Sequence, residues 1–204
     1  MFKGKIGFIA AIGIGVVLLL LLAVGIGGFS LYNRLVALNE QTNNAWSQVQ
    51  NQYQRRFDLI PNLVETVKGY ASHERETLQR VTEARARVGQ LTLSPDILKN
   101  PQAFQMFEKA QGELTSALTR LMAVVENYPN LKANENFLQL QAQLEGTENR
   151  IAVERMRFND AVREYNVAVR TLPTMWIARF AGFGPKSYFE ATGAAQTTVP
   201  AVKF

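Results

Sequence analysis

Between Arg55 and Leu63 the chain reads RRFDLIPNL, and the meaning of its proline sets the number of helices. Apolar residues keep one register through it at Ile60, Val64, Val67, Ala71, Leu78 and Val81, so Pro61 could kink a single very long helix. Alternatively the chain turns at Phe57–Asp58 and a new helix starts, with Asp58 as N-cap and Pro61 in the first turn. There a missing N–H costs nothing, because first-turn donors have no intrahelical partner. The turn is the preferred reading. It splits the chain into helices of similar length, and Pro129-Asn130-Leu131 repeats the tripeptide Pro61-Asn62-Leu63.

Upstream, Leu31, Leu35, Leu38, Trp46, Val49 and Tyr53 recur at helical steps and form the apolar stripe of a first amphipathic helix, Leu31–Phe57. Before it lies an uninterrupted apolar run, Ile6–Phe29, bounded by Lys5 and Arg34. A hydrocarbon core of about 30 Å takes roughly 20 helical residues to cross. The run exceeds the core of a signal peptide, about 7–15 residues, and is read as an uncleaved anchor. Lys3 and Lys5 precede it while Arg34 alone follows closely, which puts the N-terminus in the cytoplasm and the body outside. Within the run, Gly7, Ala11 and Gly15, and again Ala23 and Gly27, have the spacing of small residues that lets membrane helices pack.

Downstream, a second helix reaches Gly89, with Glu76/Arg80 and Glu83/Arg87 paired along its outer face. After an irregular stretch, Asn100-Pro101 is a cap followed by a first-turn proline. A third helix then carries Phe104, Phe107, Leu114, Leu118, Leu121 and Val125. Asn134 caps a fourth, with Phe137, Leu144, Ile151, Phe158, Val162, Tyr165 and Val169, which Pro173 stops. The expected fold is all-α: a single N-terminal transmembrane helix (1–30), an antiparallel four-helix bundle (31–172) and an irregular aromatic tail (173–204), poorly ordered at its end.

Helix parity gives two placements. Both Pro-Asn-Leu segments would lie at the tip away from the membrane, gathering Arg55, Arg56, Asp58, Asn62, Asn127, Tyr128, Asn130, Lys132 and Asn134 as a candidate interaction cluster. The competing explanation for those residues is ordinary turn and capping chemistry. Pro173 would release the tail beside the bilayer, where Trp176, Arg179, Phe180, Phe183 and Lys186 suit an interface. Alternatively, Trp176, Phe180 and Phe189 plug the open end of the bundle.

RRFDLIPNLVETVKGYASHE (Arg55–Glu74) and TEARA (Thr82–Ala86) resemble the LemA family of bacterial membrane proteins. So do ENYPNLKANENFLQLQAQLEGTENRIAVER (Glu126–Arg155) and RFNDAVREYN (Arg157–Asn166). The resemblance runs from the end of the anchor through Phe189. It implies an N-terminal transmembrane helix and a helical body in a bacterial cytoplasmic (inner) membrane, and it supplies no reaction. It also implies a short N-terminus outside the cell, opposite to the orientation the flanking charges give.

Chemistry is sparse. With no cysteine, disulfides, thiolate metal sites and a cysteine nucleophile are excluded. His73 is the only histidine, so neither paired Glu-x-x-His motifs nor a two-histidine zinc pattern can be built. It reads as a packing residue within a helix. The net charge of +5 is spread along the chain without a basic block, which gives no case for nucleic acid. Glu65, Arg85, Glu145, Glu148 and Arg155 lie near the apolar stripes and read as interhelical ion pairs. The expectation is a non-enzymatic scaffold without metal or cofactor, self-assembling through anchor and first helix or binding other membrane proteins. The alternative is a module that binds a small ligand or lipid at the end of the bundle.

Overall fold

A computed structural model describes residues 2–91 and 95–190, with side chains from Gly13 onward. Six α-helices and no strand occur among the described residues. They are α1 (Phe2–Tyr70), α2 (Arg75–Gly89), α3 (Pro101–Val125), α4 (Pro129–Lys132), α5 (Glu135–Arg170) and α6 (Thr174–Phe180). A 3-10 turn, Pro95–Lys99, precedes α3.

The expected turn at Phe57–Asp58 is not there, because α1 continues through Pro61. A proline inside a helix leaves the carbonyl four residues earlier without its donor. Here that carbonyl belongs to Phe57, and the Arg85 Nε–H of α2 donates to it at 3.1 Å. The same guanidinium lies 3.8 Å above the Phe57 ring. A neighbouring helix thus supplies the hydrogen bond that the proline removes. Asp58 caps nothing; its carboxylate accepts from Gln54 one turn back, at 2.8 Å.

The reversal comes later, at Ala71–Glu74, where Glu74 N–H donates to the Ala71 carbonyl at 3.0 Å and α2 starts at Arg75. His73 lies in this turn and not within a helix. The other helix ends follow local chemistry. Asn100 Oδ1 accepts from Ala103 N–H at 3.1 Å ahead of Pro101, and Asn134 Oδ1 accepts from Phe137 N–H at 3.0 Å.

The chain divides into two compact units, one from Met1–Gln41 with Glu164–Pro185 and one from Thr42–Arg163 with Lys186–Phe204, within the described residues. In the second unit Tyr53–Phe107 and Arg56–Gln111 run α3 parallel to α1, Gln52–Arg150 and Arg56–Glu148 run α5 antiparallel to it, and the reversal after Tyr70 with Phe57–Arg85 makes α2 antiparallel as well. One apolar cluster joins Ile60, Leu63 and Val67 to α2, α3 and the start of α5. The other is aromatic: Trp46 is fully buried against Phe104, Phe107, Phe158 and Phe189, with ring centroids 5.4–6.1 Å away. Trp46 therefore faces α3, α5 and the tail.

In the first unit the early part of α1 is apolar and bare. An 18-residue window has a mean hydropathy of 2.6 and none of it is buried, so by length and composition this helix can cross a membrane. Gly15 and Gly27 face open space, while Gly7 and Ala11 lie outside the described side chains. Leu35 packs with Tyr165 and Val169 of α5 and Ala178 of α6. The expectation for the last dozen residues also falls outside the described residues.

Candidate functional site

The buried face of α1 in the second unit reads Tyr53, Arg56, Ile60, Leu63, Val67. Arg56 holds a core position in that sequence, at 1% exposure, because it falls three residues after Tyr53 and four before Ile60. A guanidinium cannot shed its charge at accessible pH, so burial requires partners. Arg56 Nη1–H donates to Glu148 Oε1 at 2.8 Å and to Thr115 Oγ1 at 3.0 Å, and Nη2–H donates to Gln111 Oε1. The Tyr53 ring lies 5.1 Å from the guanidinium carbon. Two donors of this cluster have no partner, Arg56 Nε–H and the Gln111 amide Nε2. Trp46 Nε1–H, in the aromatic cluster, has none either.

The cluster lines a groove of about 980 Å³ whose walls come from α1, α2, α3 and α5. Arg155 shapes one side. It pairs with Glu108 at 3.5 Å, lies 4.3 Å above the Phe189 ring, and donates to the Glu190 carbonyl at 3.4 Å. Burial pushes the Glu108 carboxyl above its usual range, with Arg155 opposing that shift. Burial likewise raises the Tyr53 hydroxyl. Arg87 on α2 pairs with Glu113 on α3 at 2.7 Å. The groove is therefore walled by alternating charge, and the two unpaired donors lie just beneath its surface, shielded from solvent.

The structure does not gather the nine residues expected at one tip. Arg55, Arg56, Asp58 and Asn62 lie within the last quarter of α1, two to four turns before its end, since Pro61 makes no turn. At 1.5 Å per residue, Asn62 is about 12 Å and Arg55 about 22 Å before Tyr70 along the helix axis. Tyr70 marks the real tip, where its hydroxyl accepts from Asn134 Nδ2 at 2.9 Å. Asn127, Tyr128, Asn130, Lys132 and Asn134 belong to that end. The Tyr128 hydroxyl donates to Glu74 at 3.0 Å, a bond that raises its own pKa, and Lys132 pairs with Glu126.

Of the charges near the stripes, Glu148 and Arg155 join different helices, whereas Glu65 pairs only with Lys68 on its own helix. Arg85 serves a backbone carbonyl instead of an acid. The turn reading ends its helix at Phe57 and so takes Arg56 off the buried stripe, which hides the groove from the sequence.

The tail splits as well. Trp176, Arg179 and Phe180 are exposed, but Phe183 is half-buried with its ring 6.0 Å from Tyr32. Lys186 is not available to snorkel: it is buried, and its ammonium donates to Asn43 Oδ1 at 2.8 Å. Phe189 belongs to the aromatic core, with its backbone N–H and carbonyl both bonded to the Asn159 side chain at 2.9 Å.

An apolar N-terminal helix running directly into a helical body, with a polar groove along that body, defines a membrane-associated all-α protein. Residues 45–204 match the LemA family model, and the chain belongs to the LemA family. It is 28% identical over 184 residues to "Magnetosome protein MamQ" of Magnetospirillum gryphiswaldense, covering 82% of this chain and 68% of that protein. "Magnetosome protein MamQ 2" of Paramagnetospirillum magneticum matches to the same extent. "Protein LemA" of Metamycoplasma hominis is 24% identical over 166 residues, covering 80% of this chain and 72% of that protein.

Proposed function

We propose that this protein is a non-enzymatic, membrane-anchored interaction protein, which assembles with copies of itself or with other membrane proteins by seating a partner segment in the Arg56 groove. The observation that carries the reading is the pair of unmatched buried donors, Arg56 Nε and Gln111 Nε2, in residues that line an open groove. Leaving such groups unpaired costs roughly 1–3 kcal/mol each, and an acceptor-rich partner toward which the Gln111 amide rotates would recover part of it. The relatives' names attach several of them to the magnetosome and none to a reaction, which favours a role in assembly. Residence in a bacterial cytoplasmic (inner) membrane with the body outside is part of the proposal, supported by Lys3 and Lys5 before the apolar run. A second reading, a small polar ligand in the same groove, rests on the same donors; it sits along the bundle instead of at its end.

A photo-crosslinking residue at Ser116, on the groove wall, tests this in native membranes. The expected result is an adduct heavier by the mass of a polypeptide, identified by mass spectrometry. Adducts confined to small molecules would transfer the groove to the second reading, and no adduct at all would reject both.

A further inference from the structure

We infer that α6 is a second membrane contact, a short helix lying in the lipid interface beside the point where α1 leaves the bilayer. It rests on the apolar run of α1 lying in a bilayer and is independent of the groove. All the residues involved belong to the first compact unit.

The inner side of α6 is accounted for. Thr174 and Ala178 are buried, and Ala178 packs with Leu35. The helix ends in a Schellman arrangement. Gly182 takes φ 77°, Gly182 N–H donates to Arg179 at 3.4 Å, and Phe183 N–H donates to Ala178 at 2.9 Å. That left-handed residue favours glycine, and it turns Phe183 inward against Tyr32.

The outer side is what needs explaining. Trp176 and Phe180, one turn apart on one face, are 66% and 97% exposed, and Leu172 at the helix entry is 63% exposed. Single exposed apolar side chains are ordinary, but a helix apolar on both faces has no reason to be so in water.

Position supplies the occupant. Phe29 closes the apolar run and is itself exposed, while Tyr32 and Leu35, the two contacts of the tail, follow on the same helix. At 1.5 Å per residue they lie about 4.5 and 9 Å beyond Phe29 along the axis. The headgroup layer on each side of a bilayer is roughly 5–8 Å deep. The packing of α6 on α1 therefore holds it at the outer edge of the headgroup layer, within side-chain reach of it. Tryptophan is an interfacial residue, phenylalanine and leucine suit the acyl boundary, and the exposed Arg34, Arg170 and Arg179 can reach phosphates from there. The lipid surface that takes the anchor also takes α6.

The chain contains no cysteine, so single labels need no background removal. We would introduce Phe180→Cys, Trp176→Cys, Leu20→Cys in the apolar run and Met106→Cys on the exposed side of α3 into the full chain. Each would carry a nitroxide and be reconstituted in vesicles of mixed anionic and zwitterionic phospholipid. Collision with oxygen against a water-soluble nickel chelate reads depth. Phe180 is almost fully exposed, so its variant should fold, and circular dichroism checks each sample. The expected result places the labels at 176 and 180 about 5–10 Å into the headgroup and acyl boundary. The label at 20 should lie deeper, and that at 106 should lie in water. A water-accessible label at either 176 or 180, with 20 buried in lipid, overturns the inference alone. A water-accessible label at 20 overturns the membrane placement of α1 and this inference with it.

Discussion

Replacing Arg85 tests how α1 survives its internal proline. Arg85→Ala removes a charged donor from the Phe57 carbonyl, worth about 1.5–3 kcal/mol, and a stack on the Phe57 ring worth about 0.5–2 kcal/mol. The expected loss is roughly 2–5 kcal/mol, or about 4–20 °C in Tm for a chain of this size. Size alone would not identify the cause, so the decisive experiment is a double-mutant cycle. Pro61→Ala restores the N–H that reaches the Phe57 carbonyl from within the helix. In that background Arg85→Ala should lose only the stack, leaving a coupling of about 1.5–3 kcal/mol between two residues 24 positions apart in sequence. Arg85→Lys should retain part of the hydrogen bond and lose most of the planar stack. Urea and thermal unfolding in detergent, followed by circular dichroism and by the buried Trp46, would measure all four corners. If Arg85→Ala costs the same with and without Pro61, the guanidinium is not substituting for the missing donor and the reasoning fails.

Arg55→Ala and Arg56→Ala separate neighbours in different environments: exposed Arg55 should cost under about 0.5 kcal/mol, and buried Arg56, which leaves Glu148 without its partner, about 3–5 kcal/mol by urea unfolding. Phe189→Ala should destabilise by about 3–5 kcal/mol and expose the tail to limited proteolysis, because the ring belongs to the aromatic core. Glu108 has a folded pKa above its unfolded one, so it binds its proton more readily when folded. Its contribution is present below the unfolded pKa and lost as pH rises through the folded value. Stability of the native protein relative to Glu108→Gln should therefore fall as pH rises through and above the usual carboxylate range, measured as the difference in urea midpoints; a flat difference would refute the shift.

Features set by neighbours in sequence were legible. Asn100 and Asn134 cap the helices they precede, and the stripe from Phe104 to Val125 is buried as its spacing requires. Pro61 was misread because the group that rescues its helix, Arg85, lies on another element, and no local rule reports a donor arriving from there. The real turn at Ala71–Glu74 left the apolar spacing intact, since Ala71 and Leu78 are both buried and one heptad apart. Moving the turn did not alter the order of directions, so α5 still returns to Leu35 and leaves α6 beside the apolar run. Lys186 was illegible for the same reason as Arg85: its acceptor, Asn43, is 143 residues away.

The two buried-side arginines make opposite use of one chemistry. Arg85 brings a donor to an acceptor that the backbone left open, and the fold is closed at that point. Arg56 satisfies Glu148, Thr115 and Gln111 with its outer nitrogens, and Nε stays open beside an amide that is open too. If folding stability were the whole purpose of the Arg56 cluster, well-packed apolar residues would serve as well, because a buried ion pair rarely exceeds them. Charge kept at such a place, with donors to spare and a groove above it, is better explained by something that binds. Stability and binding should then separate: Arg85→Ala lowers the unfolding midpoint without changing crosslinking at Ser116, whereas Gln111→Leu, which removes the spare amide together with the acceptor of Arg56 Nη2, abolishes the crosslink and costs about 1–3 kcal/mol of folding stability.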